Sequence, residues 1–244
     1  MVESSPRPFR LALLGGFRLL AGGEQLTVSS GSERLLAFLA ISRRTVPRSM
    51  MATTLWPDTP EKRAQANLRS ALARLDGVGR RMLEVGATEI GLCPEAGVDF
   101  DEARSLARRL LDPAAELEEA EVSVQSVEVL SDGLLPGWYE EWVLGAADEW
   151  HQLRLHALEA LSAIFVRQER FAEAVTAASV AAHADPLRES ACAALIEAHL
   201  AEGNQAEALR HFQLYERNLH SELELQPTPR LCDLVAGLRS ARDR

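Results

Sequence analysis

The chain has 244 residues, enough for two domains that each bury a core. It is 47% apolar, 25% charged and only 5% aromatic, a soluble globular balance that favours helices over strand-rich sandwiches. The formal net charge of −10 would argue against nucleic acid if it were even, but residues 1–98 carry 13 Arg/Lys against 9 Asp/Glu, while residues 99–244 carry 13 against 27. Two halves so different in charge suit different partners.

Cys93, Cys192 and Cys232 are odd in number and far apart, and read as small buried hydrophobes in a reducing compartment. No stretch reaches the roughly 18 apolar residues of a membrane span. Residues 7–17 (RPFRLALLGGF) have the look of a signal peptide, but the apolar run is short and Arg18 ends it. The chain is therefore expected to be cytoplasmic, with no membrane partner.

In chain order, residues 10–20 read as a first strand, Gly22-Gly23 as a turn and Gln25–Val28 as a second strand. Ser30-x-x-Glu33 has the spacing of a capping box. Leu35, Leu36, Leu39 and Ala40 follow at helical spacing, predicting a first helix from about 32 to 42. Pro47 suits the start of a second helix through Met50, Met51 and Leu55, which stops before Pro57. A third helix starts near Pro60. Its Leu68, Ala71, Leu72 and Leu75 fall at i, i+3, i+4, i+7, and Gly77 and Gly79 should end it. Residues 82–86 and 89–93 then flank a turn at Gly86–Thr88, a two-stranded hairpin.

From Asp99 onward the chain reads as helices, with an acidic loop or solvated helix start at 112–126. An internal repeat appears at an offset of 34. Glu173-Ala174 recurs as Glu207-Ala208, Leu161 pairs with Leu195, Phe165 with His199 and Ala178 with Phe212. Paired helices of that period are the tetratricopeptide signature, and two copies need flanking helices to cap them. The expected fold is mostly α: an N-terminal winged helix-turn-helix (α+β) over residues 1–98, then an all-α tetratricopeptide-like domain over 99–244. Trp138, Tyr139, Trp142 and Trp150 read as core that fastens the tetratricopeptide domain to the segment leading into it.

The search for catalytic chemistry comes up empty. The chain has no phosphate loop, nucleophile elbow, H-E-x-x-H pair or C-x-x-C, so no enzyme and no cofactor is expected. The histidines at 151, 156, 183, 199, 211 and 220 show no pairing with a second ligand on one face, so no metal is expected either. The third helix instead carries Lys62, Arg63, Gln65, Asn67, Arg69, Ser70 and Arg74 on its other face and flanks. In helix-turn-helix proteins the last helix enters the major groove. Arg69 can bond guanine in two places, and Gln65 or Asn67 can do the same to adenine. The expected base readers are Gln65, Asn67, Arg69 and Ser70. The expected phosphate contacts are Arg34, Lys62, Arg63 and Arg74, with Arg80 and Arg81 at the base of the wing.

Leu55-Trp56-Pro57-Asp58, Ala66-Asn67-Leu68-Arg69-Ser70-Ala71-Leu72 and Arg74-Leu75 resemble the DNA-binding domain of the Streptomyces antibiotic regulatory protein (SARP) family, an OmpR-like winged helix. Leu134-Leu135-Pro136-Gly137-Trp138-Tyr139, Trp142-Val143-Leu144, Arg154 to Leu161, Asp185-Pro186-Leu187-Arg188-Glu189, and Gly203 with Glu207-Ala208-Leu209 resemble its bacterial transcriptional activation domain. The resemblance runs from about residue 10 to 239 and places the DNA-reading helix at about Glu61–Asp76. It implies a three-stranded sheet against the three helices. It also implies an activator that binds promoter direct repeats as side-by-side protomers or a dimer and recruits RNA polymerase. Larger relatives add an ATPase module, which this chain would lack. The competing expectation is a protein-binding adaptor that uses the tetratricopeptide groove and a winged helix that does not read DNA.

Overall fold

The computed structural model describes residues 9–75 and 77–242. Arg7 and Pro8, at the head of the signal-like run, and Asp76, at the end of the expected reading helix, lie outside them. The chain divides into two compact units: Met1–Glu102 with Gly133–His151, and Ala103–Asp132 with Gln152–Arg244.

The first unit opens on a sheet. Its strands are β1 (Phe9–Ala12), β2 (Arg18–Ala21) and β3 (Glu24–Leu26). Residues 10–20 are thus two strands, not one, because Gly15 and Gly16 adopt positive φ and break the run. The strands form an antiparallel meander with Leu11 opposite Leu19 and Leu19 opposite Leu26. Leu11, Ala12, Leu13 and Leu14 are all buried, so apolar side chains of both parities find a core.

Helix α1 (Ser30–Ser42) follows. Its cap is Ser29, one residue before the expected box, because Ser29 is the extended residue whose Oγ can reach the Ser32 N–H. Strand β4 (Val46–Pro47) leads into α2 (Arg48–Leu55), and α3 (Glu61–Arg74) comes after a five-residue turn. In α3, Leu68, Ala71 and Leu72 are buried together with Ala64, and Leu75 is buried just beyond it, as the stripe predicts. The buried Ser32 hydroxyl donates to the Ala71 carbonyl at 3.0 Å, tying α1 to α3.

Gly77 and Gly79 do not simply stop α3; they lie within a short helix, α4 (Gly77–Arg81). Strands β5 (Leu83–Val85) and β6 (Glu89–Leu92) form the expected hairpin, and β4 adds to its edge, giving the order β4-β6-β5. Strand β7 (Gly97–Val98) pairs in parallel with β1. The first sheet is therefore four-stranded, β3-β2-β1-β7, with the wing as a separate sheet, rather than the three strands implied by resemblance.

Helix α5 (Asp99–Leu111) begins at a half-buried carboxylate. Asp99 accepts from the backbone N–H groups of Leu13 at 2.8 Å, Leu14 at 3.2 Å and Phe100 at 2.7 Å. Burial pushes its pKa above the ordinary value, although those donors and the Arg10 guanidinium pull the other way. Folding thus favours the protonated form. This contribution to stability is full at acid pH and is lost as pH rises through the folded-state value. The difference in unfolding free energy between wild type and Asp99→Asn, measured in urea from about pH 4 to about pH 7, should fall as pH rises.

Residues 133–151 complete this unit. Leu134 bridges Leu14, and Leu135 N–H donates to Leu13 O at 2.9 Å. Trp138 stacks near Phe17, Trp142 meets Phe38 edge-on at 5.2 Å, and Trp150 meets Phe100 edge-on at 5.6 Å. Trp150 is core, as expected, but of the first unit, and Trp138 and Trp142 are only half-buried there. Tyr139 is not part of that core, being 83% exposed.

In the second unit, α6 (Val124–Ser131) follows the acidic stretch, which is mostly turn and coil before it. Helix α7 (Glu141–Arg167) begins in the first unit and belongs to the second from Gln152 on, and α8 (Phe171–Ala184), α9 (Glu189–Glu202), α10 (Gln205–Leu223) and α11 (Pro229–Arg242) come next. The 34-residue repeat is present in the backbone. Arg170 and Asn204 start α8 and α10 with φ, ψ of −93°, 65° and −90°, 65°. Arg170 N–H donates to Phe165 O at 2.9 Å, and Asn204 N–H to His199 O at 2.8 Å. The left-handed turn residue is Glu169 in one copy and Gly203 in the other. A side chain is strained there and glycine is not. Glu169→Gly should therefore raise the stability of the chain, by up to about 1 kcal/mol in chemical denaturation. Ala174, Ala177, Ala178 and Ala181 are buried along α8, and Ile196, Phe212, Tyr215, Leu219 and Val235 form the core of α9–α11.

Cys192 lies in that core and is 6% exposed, as a small hydrophobe should be, whereas Cys93 and Cys232 are half-buried. Burial, with Glu189 nearby, pushes the Cys192 thiol up to about 12. Only the thiolate reacts, so Cys192 should be the slowest of the three to react with Ellman's reagent in the folded protein at neutral pH.

Candidate nucleic-acid interface

The candidate interface is built on α3, α4 and the wing. With its apolar stripe packed inward, α3 leaves Lys62, Arg63, Arg69, Ser70, Ala73 and Arg74 exposed. None of its four cations forms an ion pair among the described residues. Three or four residues along a helix bring side chains to one face. Lys62, Arg69 and Ala73 therefore form one outward ridge, with Ser70, Arg63 and Arg74 beside it.

Gln65 and Asn67 stand differently. They are two residues apart, hence on opposite flanks, and both are half-buried. The Gln65 amide donates to Glu61 at 3.1 Å. Of the four expected base readers, Arg69 and Ser70 are presented outward, while Gln65 and Asn67 sit on the flanks.

The wing lies against the C-terminal half of α3. Arg69, Leu72 and Ala73 of α3, Leu75, Arg80 of α4, Val85 of β5 and Arg48 of α2 line one depression. Arg80 thus joins Arg69, as its place at the wing's base suggested. Arg81 turns away to lie over the Phe9 ring, 5.3 Å from its centroid. Arg34 is half-buried, and its Nε lies 3.1 Å from a Glu140 carboxylate oxygen. That charge is already matched, for a reason invisible locally, since the partner comes from a distant segment.

Arg48 was missed by the sequence reading. Its N–H donates to Thr88 O at 2.8 Å, and its Nη1 to Gly86 O at 3.2 Å, so it holds the wing's turn from the start of α2. One signal was available. A cation in a helix's first turn opposes the helix dipole, and α2 has no acidic residue there. Such a residue needs another reason to be present, and the wing carbonyls supply it.

A family model for the bacterial transcriptional activator domain matches residues 95–239. The chain is 30% identical, over 98% of its length, to the regulatory protein AfsR of Streptomyces coelicolor, and 28% identical, over 96%, to AfsR of Streptomyces griseus. It spans 25% of the length of each. Among solved structures it resembles Mycobacterium tuberculosis EmbR, determined in complex with a low affinity phosphopeptide. The TM-score is 0.71 at 20% identity, over 93% of this chain and 64% of that one. That likeness shows a common fold, mostly helical with a small N-terminal sheet region. With the activator-domain match covering more than half of its residues, the chain belongs to the bacterial transcriptional activator domain family, among the Streptomyces antibiotic regulatory proteins.

Proposed function

We propose that the chain is a sequence-specific DNA-binding transcriptional activator, with residues 1–98 as the DNA-binding part and 99–244 as the activation part. The observation that carries this reading is the row of exposed cations on α3, without an ion pair among the described residues, continued by Arg80 beside the wing. In a protein of net charge −10, such a row on one helix is the electrostatic footprint of a polyanion.

Arg69 and Ser70 read base edges, with Gln65 and Asn67 acting from the flanks. Lys62, Arg63, Arg74, Arg80 and Arg48 hold phosphates. Arg34 and Arg81 take secondary parts, given their present partners. The acidic second half is kept off DNA by its charge and offers a surface to RNA polymerase. Side-by-side protomers would occupy direct repeats in a promoter, in the cytoplasm at the nucleoid.

The test is selection of bound fragments from random double-stranded DNA at near-physiological salt, followed by sequencing. Enrichment of a short motif, repeated in one orientation about one helical turn apart, is expected. Weak binding without enrichment would exclude the activator reading.

A further inference from the structure

The histidine spacing gave no pair, yet the fold brings three ligand-bearing side chains together. Glu207 and His211 lie four residues apart on one face of α10, and His199 approaches from α9 across the Gly203 turn. One ligand atom from each lies within 4.8 Å of the others. The His199 and His211 rings stack nearly parallel, with centroids 5.3 Å apart.

We propose that His199, Glu207 and His211 form a binding site for one zinc ion, bridging α9 and α10 in the second unit.

The internal repeat makes His199 unexpected there. Thirty-four residues earlier its place is taken by Phe165, a fully buried core residue, and that of His211 by Ala177, also fully buried. A histidine replaces a phenylalanine at a core position without any gain in packing. Being 7% exposed, it gives up most of its hydration. Its Nδ1 has no hydrogen-bond partner among the described residues, although a Glu202 carboxylate oxygen lies 3.5 Å away. A buried polar nitrogen left so calls for a ligand.

Two imidazoles and a carboxylate suit zinc, whose ligand bonds are about 2.0–2.2 Å long. Ligand atoms around such an ion lie about 3.3 Å apart, so side-chain rotations of an ångström or so close the site. Glu207 now pairs with Arg210, whose side chain is largely exposed, so the pair is weak and easily given up. The ion's path is the open cleft lined by His183, Cys192, His211 and Tyr215. The fourth position is left to water.

The full chain, stripped with a chelator, should be titrated with zinc chloride by calorimetry, and with cobalt(II) by visible absorption. We expect one ion per chain, a cobalt spectrum of low coordination number, and a thermal midpoint raised by zinc. His211→Gln and Glu207→Gln should each weaken binding on the order of tenfold or more and abolish the zinc-induced rise in midpoint. Both alter half-buried positions, so their folding is checked first by circular dichroism. His220→Gln, exposed on the same helix, should bind as wild type does. Absence of saturable binding to the wild type, or equal affinity in wild type and the two variants, would overturn the site. Loss in one variant alone would overturn the three-ligand set.

Discussion

Arg69→Ala should abolish most of the chain's preference for its operator while leaving the fold intact. The side chain is exposed and makes no ion pair among the described residues, so its removal leaves no cavity and no orphaned partner. A bidentate contact from arginine to a guanine edge contributes about 1–3 kcal/mol of discrimination, roughly 5- to 150-fold in relative affinity. The preference for the selected motif over a scrambled duplex, measured by competition, should fall by about that factor. Lys62→Ala should behave otherwise, weakening binding to both duplexes alike and reducing the slope of log affinity against log salt by about one. If Arg69→Ala weakened both duplexes equally, its role would be that of a phosphate contact, and base reading would pass to Ser70 and the flanking amides.

Trp150→Ala should destabilise the first unit by about 3–5 kcal/mol. Trp150 is 1% exposed and meets Phe100 edge-on, so truncation removes a large buried area together with an aromatic pair. Against a total stability of about 5–15 kcal/mol, that is a large share. Urea unfolding followed by circular dichroism measures it, and Trp150→Phe should cost clearly less, because the ring partner is retained. A loss below about 1 kcal/mol would mean that the site collapses around the smaller side chain.

Much of this architecture is legible in the sequence because its cues are local. Pro47 and Pro57 bracket α2, the Leu68–Leu75 stripe fixes the inner face of α3, and the turn at Gly86–Thr88 marks the wing. The 34-residue offset is strong enough to foretell two equivalent helix starts at Arg170 and Asn204. Three misses share a cause: they depend on partners that no spacing reveals. Leu134 bridges Leu14, Arg34 meets Glu140, and Trp150 meets Phe100, each across a long stretch of chain. The cap at Ser29 was missed for a different reason. Adjacent serines offer equal chemistry, and only the extended backbone at Ser29 distinguishes them. In the candidate interface, helix geometry already separates Gln65 from Asn67, whereas the hold of Arg48 on the wing depends on the tertiary fold.

The four fully buried alanines of α8 also bear on which mutations the gene can tolerate. A single base change in an alanine codon leads to glycine, serine, threonine, valine, proline, aspartate or glutamate. Glycine loosens the helix by about 1 kcal/mol, and proline breaks it at about 3. The acids bring an unpaired charge into a dry contact. Serine, threonine and valine add atoms where none fit without displacement. At Ala174, Ala177, Ala178 and Ala181, every amino-acid change within one mutational step is therefore expected to lower stability. Drift at these codons should be confined to silent third-base changes.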